Sequence, residues 1–141
     1  MVQSAIGYHG AMMLTRDALL NTDRPEKVLR LPTPELAVEG IGDYVCLRML
    51  SSAERIAWQL ALSDDGNGKP VSVRLANLHA RFAATVLCNE RGVRLFEDKD
   101  ADKLGQLPAV DLERIYWAGI EFNRMREEDV GEAKKNLPPI P

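Results

Sequence analysis

The sequence is poor in the residues that build reactive centres and cross-linked scaffolds. It has two cysteines among its 141 residues, too few for a disulfide framework. Cys46 and Cys88 stand in apolar runs, Val45-Cys46-Leu47 and Val86-Leu87-Cys88, and read as buried thiols of a reducing compartment. The only imidazoles are His9 and His79. His79, beside Leu78, has no cysteine or carboxylate at ligand spacing on its helix, so it reads as a surface or part-buried side chain. No apolar run approaches the ~18 residues of a membrane span. The first residues lack a basic stretch and a long apolar core, so no signal peptide is read there. A basic excess is missing too: the net charge is −3 and the pI near 5.4, which leaves little to neutralise phosphates. Gly-rich phosphate loops, G-x-S-x-G and C-x-x-C are absent. Asp98-Lys-Asp100-Ala-Asp102 has carboxylates at alternate positions, but a calcium loop needs Gly sixth and Glu twelfth, where Lys103 and Ala109 stand. It reads instead as the acidic start of a helix.

What is present is an ordinary globular mixture, with 45% hydrophobic and 28% charged residues. One domain of this length buries about two-thirds of its unfolded surface and needs no staples. Thr15 caps a short helix from Arg16 to about Asn21, with Leu14 and Leu19 placed as a hydrophobic staple. Asp23-Arg24-Pro25 stops it. Lys27–Leu31 and Tyr44–Met49 have strand composition and predict a small two-stranded hairpin lying on helices. Ser51 and Glu54 form a capping box for a helix from Ser52 to about Leu62, with Ile56 and Leu60 on one face. Asp64-Asp65-Gly66-Asn67-Gly68 is a loop.

Pro70 opens a helix running to about Leu87, with Val71, Leu75, Leu78, Phe82 and Val86 in one stripe. Val93–Phe96 reads as a short strand after the Asn89–Gly92 turn, and Asp98 as the cap of a helix ending at Gly105. Pro108 starts the last long helix, with a stripe of Leu112, Ile115, Tyr116, Gly119 and Phe122. The fold class is therefore mainly α (α+β), with about five helices and a two-stranded hairpin near the N-terminus. Arg48, Arg74 and Arg81 read either as solvated stems over apolar surface or as partners of Glu97, Asp98 or Asp100.

The functional candidates lie on the last helix. Trp117 and Ile120 fall off its apolar stripe, so they are either covered by the hairpin or kept for a partner, where aromatic anchors concentrate. Together with Phe122 they form the candidate partner or self-association surface.

The order of these pieces resembles a known family. Leu14-Thr-Arg-Asp-Ala-Leu-Leu20, Gly42-Asp-Tyr-Val-Cys-Leu-Arg48 and Leu50-Ser-Ser-Ala-Glu-Arg55 are similar to the opening of tail assembly chaperones of long non-contractile-tailed (siphovirus-like) bacteriophages. Leu75-Ala-Asn-Leu-His-Ala-Arg81 and Asn89-Glu-Arg-Gly-Val-Arg-Leu-Phe96 look like the family's helix and its D-E-x-G-x-x-L-F turn, with Asn89 where Asp is usual. Asp100-Ala-Asp-Lys-Leu-Gly105, Leu107-Pro108 and the Lys135-Asn136 pair follow in the same order, although Leu137-Pro-Pro departs from the usual small polar residues.

The resemblance covers residues 14–137 and divides the chain into an extension (1–13), a single helical chaperone domain (14–125) and a charged, Pro-rich tail (126–141). Met12 or Met13 could be the true start. It implies a non-enzymatic homo-oligomer, a ring or spiral, in the host bacterial cytoplasm, with no cofactor, no metal, no nucleic acid and no membrane. Its implied partners are the tape measure protein, which it coats, and the tail tube protein, reached through a longer product of ribosomal frameshifting near Lys134-Lys135-Asn136. Such chaperones are absent from the mature virion. The rival reading is a helix-turn-helix DNA-binding regulator of phage origin, which the meagre basic content of the Pro70–Leu87 helix disfavours.

Overall fold

A computed structural model of the chain describes residues 11–21, 27–62 and 77–126. The expected Asp23–Pro25 stop, the Asp64–Gly68 loop, residues 70–76 of the expected Pro70 helix with Arg74, and nearly all of the C-terminal tail lie outside the described residues. The expected unbroken helix from Pro70 to Leu87 is corrected at Asn77, which takes the left-handed φ 51 and ψ 37 and stands as the N-cap of a helix that begins only at Leu78. Helix α1 (Arg16–Asn21) begins as its capping residue requires: the Ala18 N–H donates to Thr15 Oγ1 at 3.1 Å. None of its residues is buried, and Leu14, Leu19 and Leu20 are all exposed.

Strand β1 (Val28–Pro32) pairs antiparallel with β2 (Tyr44–Arg48), with Leu29 opposite Leu47 and Arg30 opposite Cys46. The hairpin expectation needs correction on two points. The sheet has three strands, in the order β1-β2-β3, and it starts at Val28, behind α1, so it is not at the N-terminus. The third strand, β3 (Leu87–Cys88), stands where the sequence pattern predicts the end of a helix and the residue beyond it. Helix α3 (Leu78–Val86) stops at Val86, and Leu87 turns to extended geometry at φ −68 and ψ 130. Leu87 and Cys88 there find open backbone partners on β2, pairing with Leu47 and Cys46. Two strands alone would bury too little, and the third widens the buried face. Val93–Phe96 reaches the sheet only through a bridge from Arg94 to Cys88. The preceding turn is closed by Asn89 Oδ1, which accepts from the Arg91 and Val93 amides, while Gly92 takes φ +82.

Helix α2 (Ser52–Leu62) carries the expected capping box: Ser51 Oγ accepts from the Glu54 N–H at 3.1 Å, and Glu54 Oε1 from the Ser51 N–H at 2.9 Å. Its inward residue is Trp58, packed on Phe82 with ring centroids 5.0 Å apart. Ile56 and Leu60 point outward. The Glu54, Arg55, Trp58, Ala61 and Leu62 side is the one turned inward, which buries the largest apolar side chain of the helix.

A 3-10 turn (Asp98–Asp100) leads into α4 (Ala101–Leu104). Its cap is Glu97, boxed with Asp100, and not Asp98 as the sequence suggests; Asp98 is instead taken by Arg94 at 2.5 Å. Helix α5 (Ala109–Phe122) starts after Pro108 as expected. Leu47, Phe82, Val86 and Ile115 are wholly buried and centre a core that also takes in Trp58, Leu87, Leu104, Leu112 and Ile120. At Gly119 a Cβ would stand 2.6 Å from Phe82 Cε2, so the bare backbone there lets α5 lie close against α3. Asn123 ties the end of α5 to the link between β2 and α2. It accepts from the Leu50 N–H at 2.7 Å and donates to the Gly119 and Arg48 carbonyls at 3.0 and 3.3 Å.

Candidate interaction surface

Val110 and Trp117 lie two turns apart on one line of α5 and both face outward. Trp117 is 61% exposed. Its ring stands edge-on to Tyr116, with centroids 5.0 Å apart and planes at 87°. Tyr116 in turn meets Phe82 at 5.3 Å, and Phe82 meets Trp58. An aromatic ladder thus runs from the core to the surface and holds Trp117 in position. Burial pushes the Tyr116 phenol above its ordinary pKa, as expected for a ring half inside this ladder. Each such aromatic contact contributes roughly 0.5–1.5 kcal/mol beyond area burial.

The other two candidate residues do not share this face. Ile120 is 7% exposed and belongs to the core, so it presents no surface. Placing it off the apolar stripe is corrected by helical geometry: it stands four residues after Tyr116 and eight after Leu112, which returns it to the inward side. Phe122 is half-buried at the helix end. Further exposed apolar side chains, outside the candidate surface, stand on α1 (Leu19, Leu20) and α2 (Ile56, Leu60).

Polar clusters elsewhere are engaged with the fold itself. A groove of about 320 Å³ runs between α2 and α3, lined by Trp58, Arg81, Thr85 and Arg94 among others. Arg81 lies 5.7 Å over the Trp58 ring, and Arg94 donates to the Ala84 carbonyl at 2.8 Å. Arg48 makes a two-pronged pair with Glu54, at 3.0 and 2.6 Å, and donates to the Thr85 carbonyl at 2.9 Å. Of the carboxylates at 97–100, then, Asp98 pairs with Arg94, while Arg48 turns to α2. The Arg48 guanidinium, with the Ser51 amide and hydroxyl, holds the Glu54 carboxyl down at about 2 against an ordinary 4.5.

At the start of α5, Asp111 is fully buried and meets Arg114, which also bridges to Glu35 at 3.0 Å. Asp111 Oδ2 has no hydrogen-bond partner. Burial and the nearby Glu35 raise the Asp111 pKa, and the bond from Arg114 lowers that of Glu35. This cluster fastens the β1–β2 connection to α5.

Among the described residues there is no group of three or more His, Cys, Asp or Glu side chains that could hold a metal ion, and no helix long and apolar enough to cross a membrane. Comparison with protein-family models, with curated proteins and with solved structures finds no match to this chain.

Proposed function

We propose that the chain is a phage tail assembly chaperone that coats a tape measure protein and helps recruit tail tube subunits. On this reading it is a homo-oligomer of the host bacterial cytoplasm and leaves before the virion is complete. The observation that supports it best is Trp117, largely exposed and stacked edge-on at the outer end of an aromatic ladder that starts in the core. A tape measure protein is long, helical and apolar, and exposes sticky surface until the tube closes round it. A chaperone for it needs rigid apolar anchors rimmed by charge, and Glu113, Arg114 and Glu121 flank Trp117 along α5.

Co-expression with a phage tape measure protein tests this. The expected result is a soluble complex of the two that purifies on a tag carried by either. A tape measure protein that precipitates equally with and without this chain would overturn the reading. A salt-dependent retardation of duplex DNA by the purified chain would favour the regulator instead.

A further inference from the structure

We propose that Cys46 and Cys88 are a modification site: a thiol pair on neighbouring strands poised to close into a reversible intramolecular disulfide.

The register of β2 on β3 sets Cys46 directly opposite Cys88, so both side chains project from the same face of the sheet. The bonds on the far side of β3 fix which kind of pair this is. Leu95 donates to the Leu87 carbonyl at 3.1 Å, and Asn89 to the Val93 carbonyl at 2.9 Å. Those bonds flank Cys88 and leave its own N–H and C=O turned toward Cys46. That is the wider of the two antiparallel spacings, with Cα atoms about 5.5 Å apart. Disulfides span Cα separations of about 4.4–6.8 Å, so the backbone spacing admits the bond; the side chains stand wider here than in the narrower kind of pair, and the two strands draw slightly together as the sulfurs meet.

The surroundings favour access. Both thiols are buried and not joined in a disulfide, yet neither belongs to the hydrophobic cluster that Leu47 and Leu87 enter from the other face of the same strands. The cysteine face is the one that carries Arg30 and Tyr44, and these are joined over it by Glu90, which pairs with Arg30 at 3.4 Å and accepts from the Tyr44 hydroxyl. Arg30 and Glu90 are largely exposed, and with Tyr44, whose ring lies under Arg30 at 5.3 Å, they form a surface cluster. A small reagent therefore reaches the sulfurs by displacing surface side chains, with the core left closed.

The step is thiol–disulfide exchange with a small-molecule disulfide such as glutathione disulfide. One protein thiolate attacks a glutathione sulfur, breaks its S–S bond and expels one glutathione thiolate, leaving a mixed disulfide. The second protein thiolate attacks the protein sulfur of that bond and expels the other glutathione. Two protein thiols are oxidised to one disulfide, one glutathione disulfide is reduced to two thiols, and the two protons pass to the released thiolates. The product staples the two-residue β3 to β2, between the end of α3 and the bridge to Arg94.

The test uses the full wild-type chain, whose only two cysteines make any intramolecular bond this one. The chain is equilibrated in glutathione buffers of graded oxidation, with and without urea, then acid-quenched, alkylated and weighed intact. Equilibrium is read, not rate, because burial raises the Cys46 thiol's pKa and slows exchange. The expected product has lost both thiols, carries no glutathione, runs as a single chain, keeps the far-ultraviolet dichroism of the reduced form and reverts with dithiothreitol. It should form at a lower fraction of glutathione disulfide when folded than in urea, because the fold holds the sulfurs together. Thiols that stay free, glutathione retained on both cysteines, bonds only between chains, or equal oxidation of folded and unfolded chain would each overturn the proposal.

Discussion

The Arg48–Glu54 pair makes the sharpest prediction about stability. Glu54 serves two ends at once: it closes the capping box of α2 and takes both prongs of Arg48, whose side chain is only 11% exposed. Because its folded pKa is about 2 against 4.5 when free, the stability it adds is present above pH 4.5 and is lost as pH falls through about 2. That gap corresponds to about 3 kcal/mol for a shielded pair. The Glu54 side chain is 35% exposed, and solvent screening reduces the figure to about 2 kcal/mol. Glu54→Gln removes the charge and keeps the shape. Urea unfolding of the two proteins, followed by fluorescence of the buried Trp58, should separate them by about 2 kcal/mol at pH 7, and the difference should shrink steadily between pH 4.5 and pH 2. Comparing the two at each pH cancels Asp111, whose raised pKa acts in the opposite sense, adding stability at low pH that is lost as pH rises. A difference that holds constant down to pH 2 would mean that packing alone accounts for it and that the Glu54 charge adds no stability.

Two further substitutions probe the joints of the fold. Asn123→Ala strips three hydrogen bonds and leaves the Leu50 amide without its acceptor, so the urea midpoint should fall with a loss of about 2 kcal/mol. Gly119→Ala drives a methyl against the Phe82 ring. The helix propensity gained, about 1 kcal/mol, is outweighed by overpacking of about 1–3 kcal/mol, and the thermal midpoint should drop.

Much of the fold was legible because its signals are local. Thr15, the Ser51–Glu54 box and Pro108 act on the few residues next to them, and the helices they start stand where those residues put them. What escaped the reading depends on partners distant in sequence. Leu87 continues a helical stripe by composition, and only the open edge of β2 at Leu47 makes it a strand. Trp58, Ile56 and Leu60 share one short helix, and the pull of Phe82 decides which of them turns inward. Asp111 reads as an ordinary first-turn acid, and its burial follows from Glu35 and Arg114 closing over it. The candidate surface was legible in part: Trp117 does lie off the stripe and outside, whereas Ile120, one turn beyond Tyr116, lies on the inward side.

On the proposed function, the chain acts through an outward apolar anchor on α5, Trp117. The most direct measurement is the affinity of the purified chain for the tape measure protein, wild type against Trp117→Ala. Truncating an exposed anchor should leave the urea midpoint within about 0.5 kcal/mol of the wild type. Binding should weaken by ~30-fold, the loss expected of an interface hot spot worth about 2 kcal/mol. Equal affinity of the two proteins, or no binding by the wild type, would contradict the account.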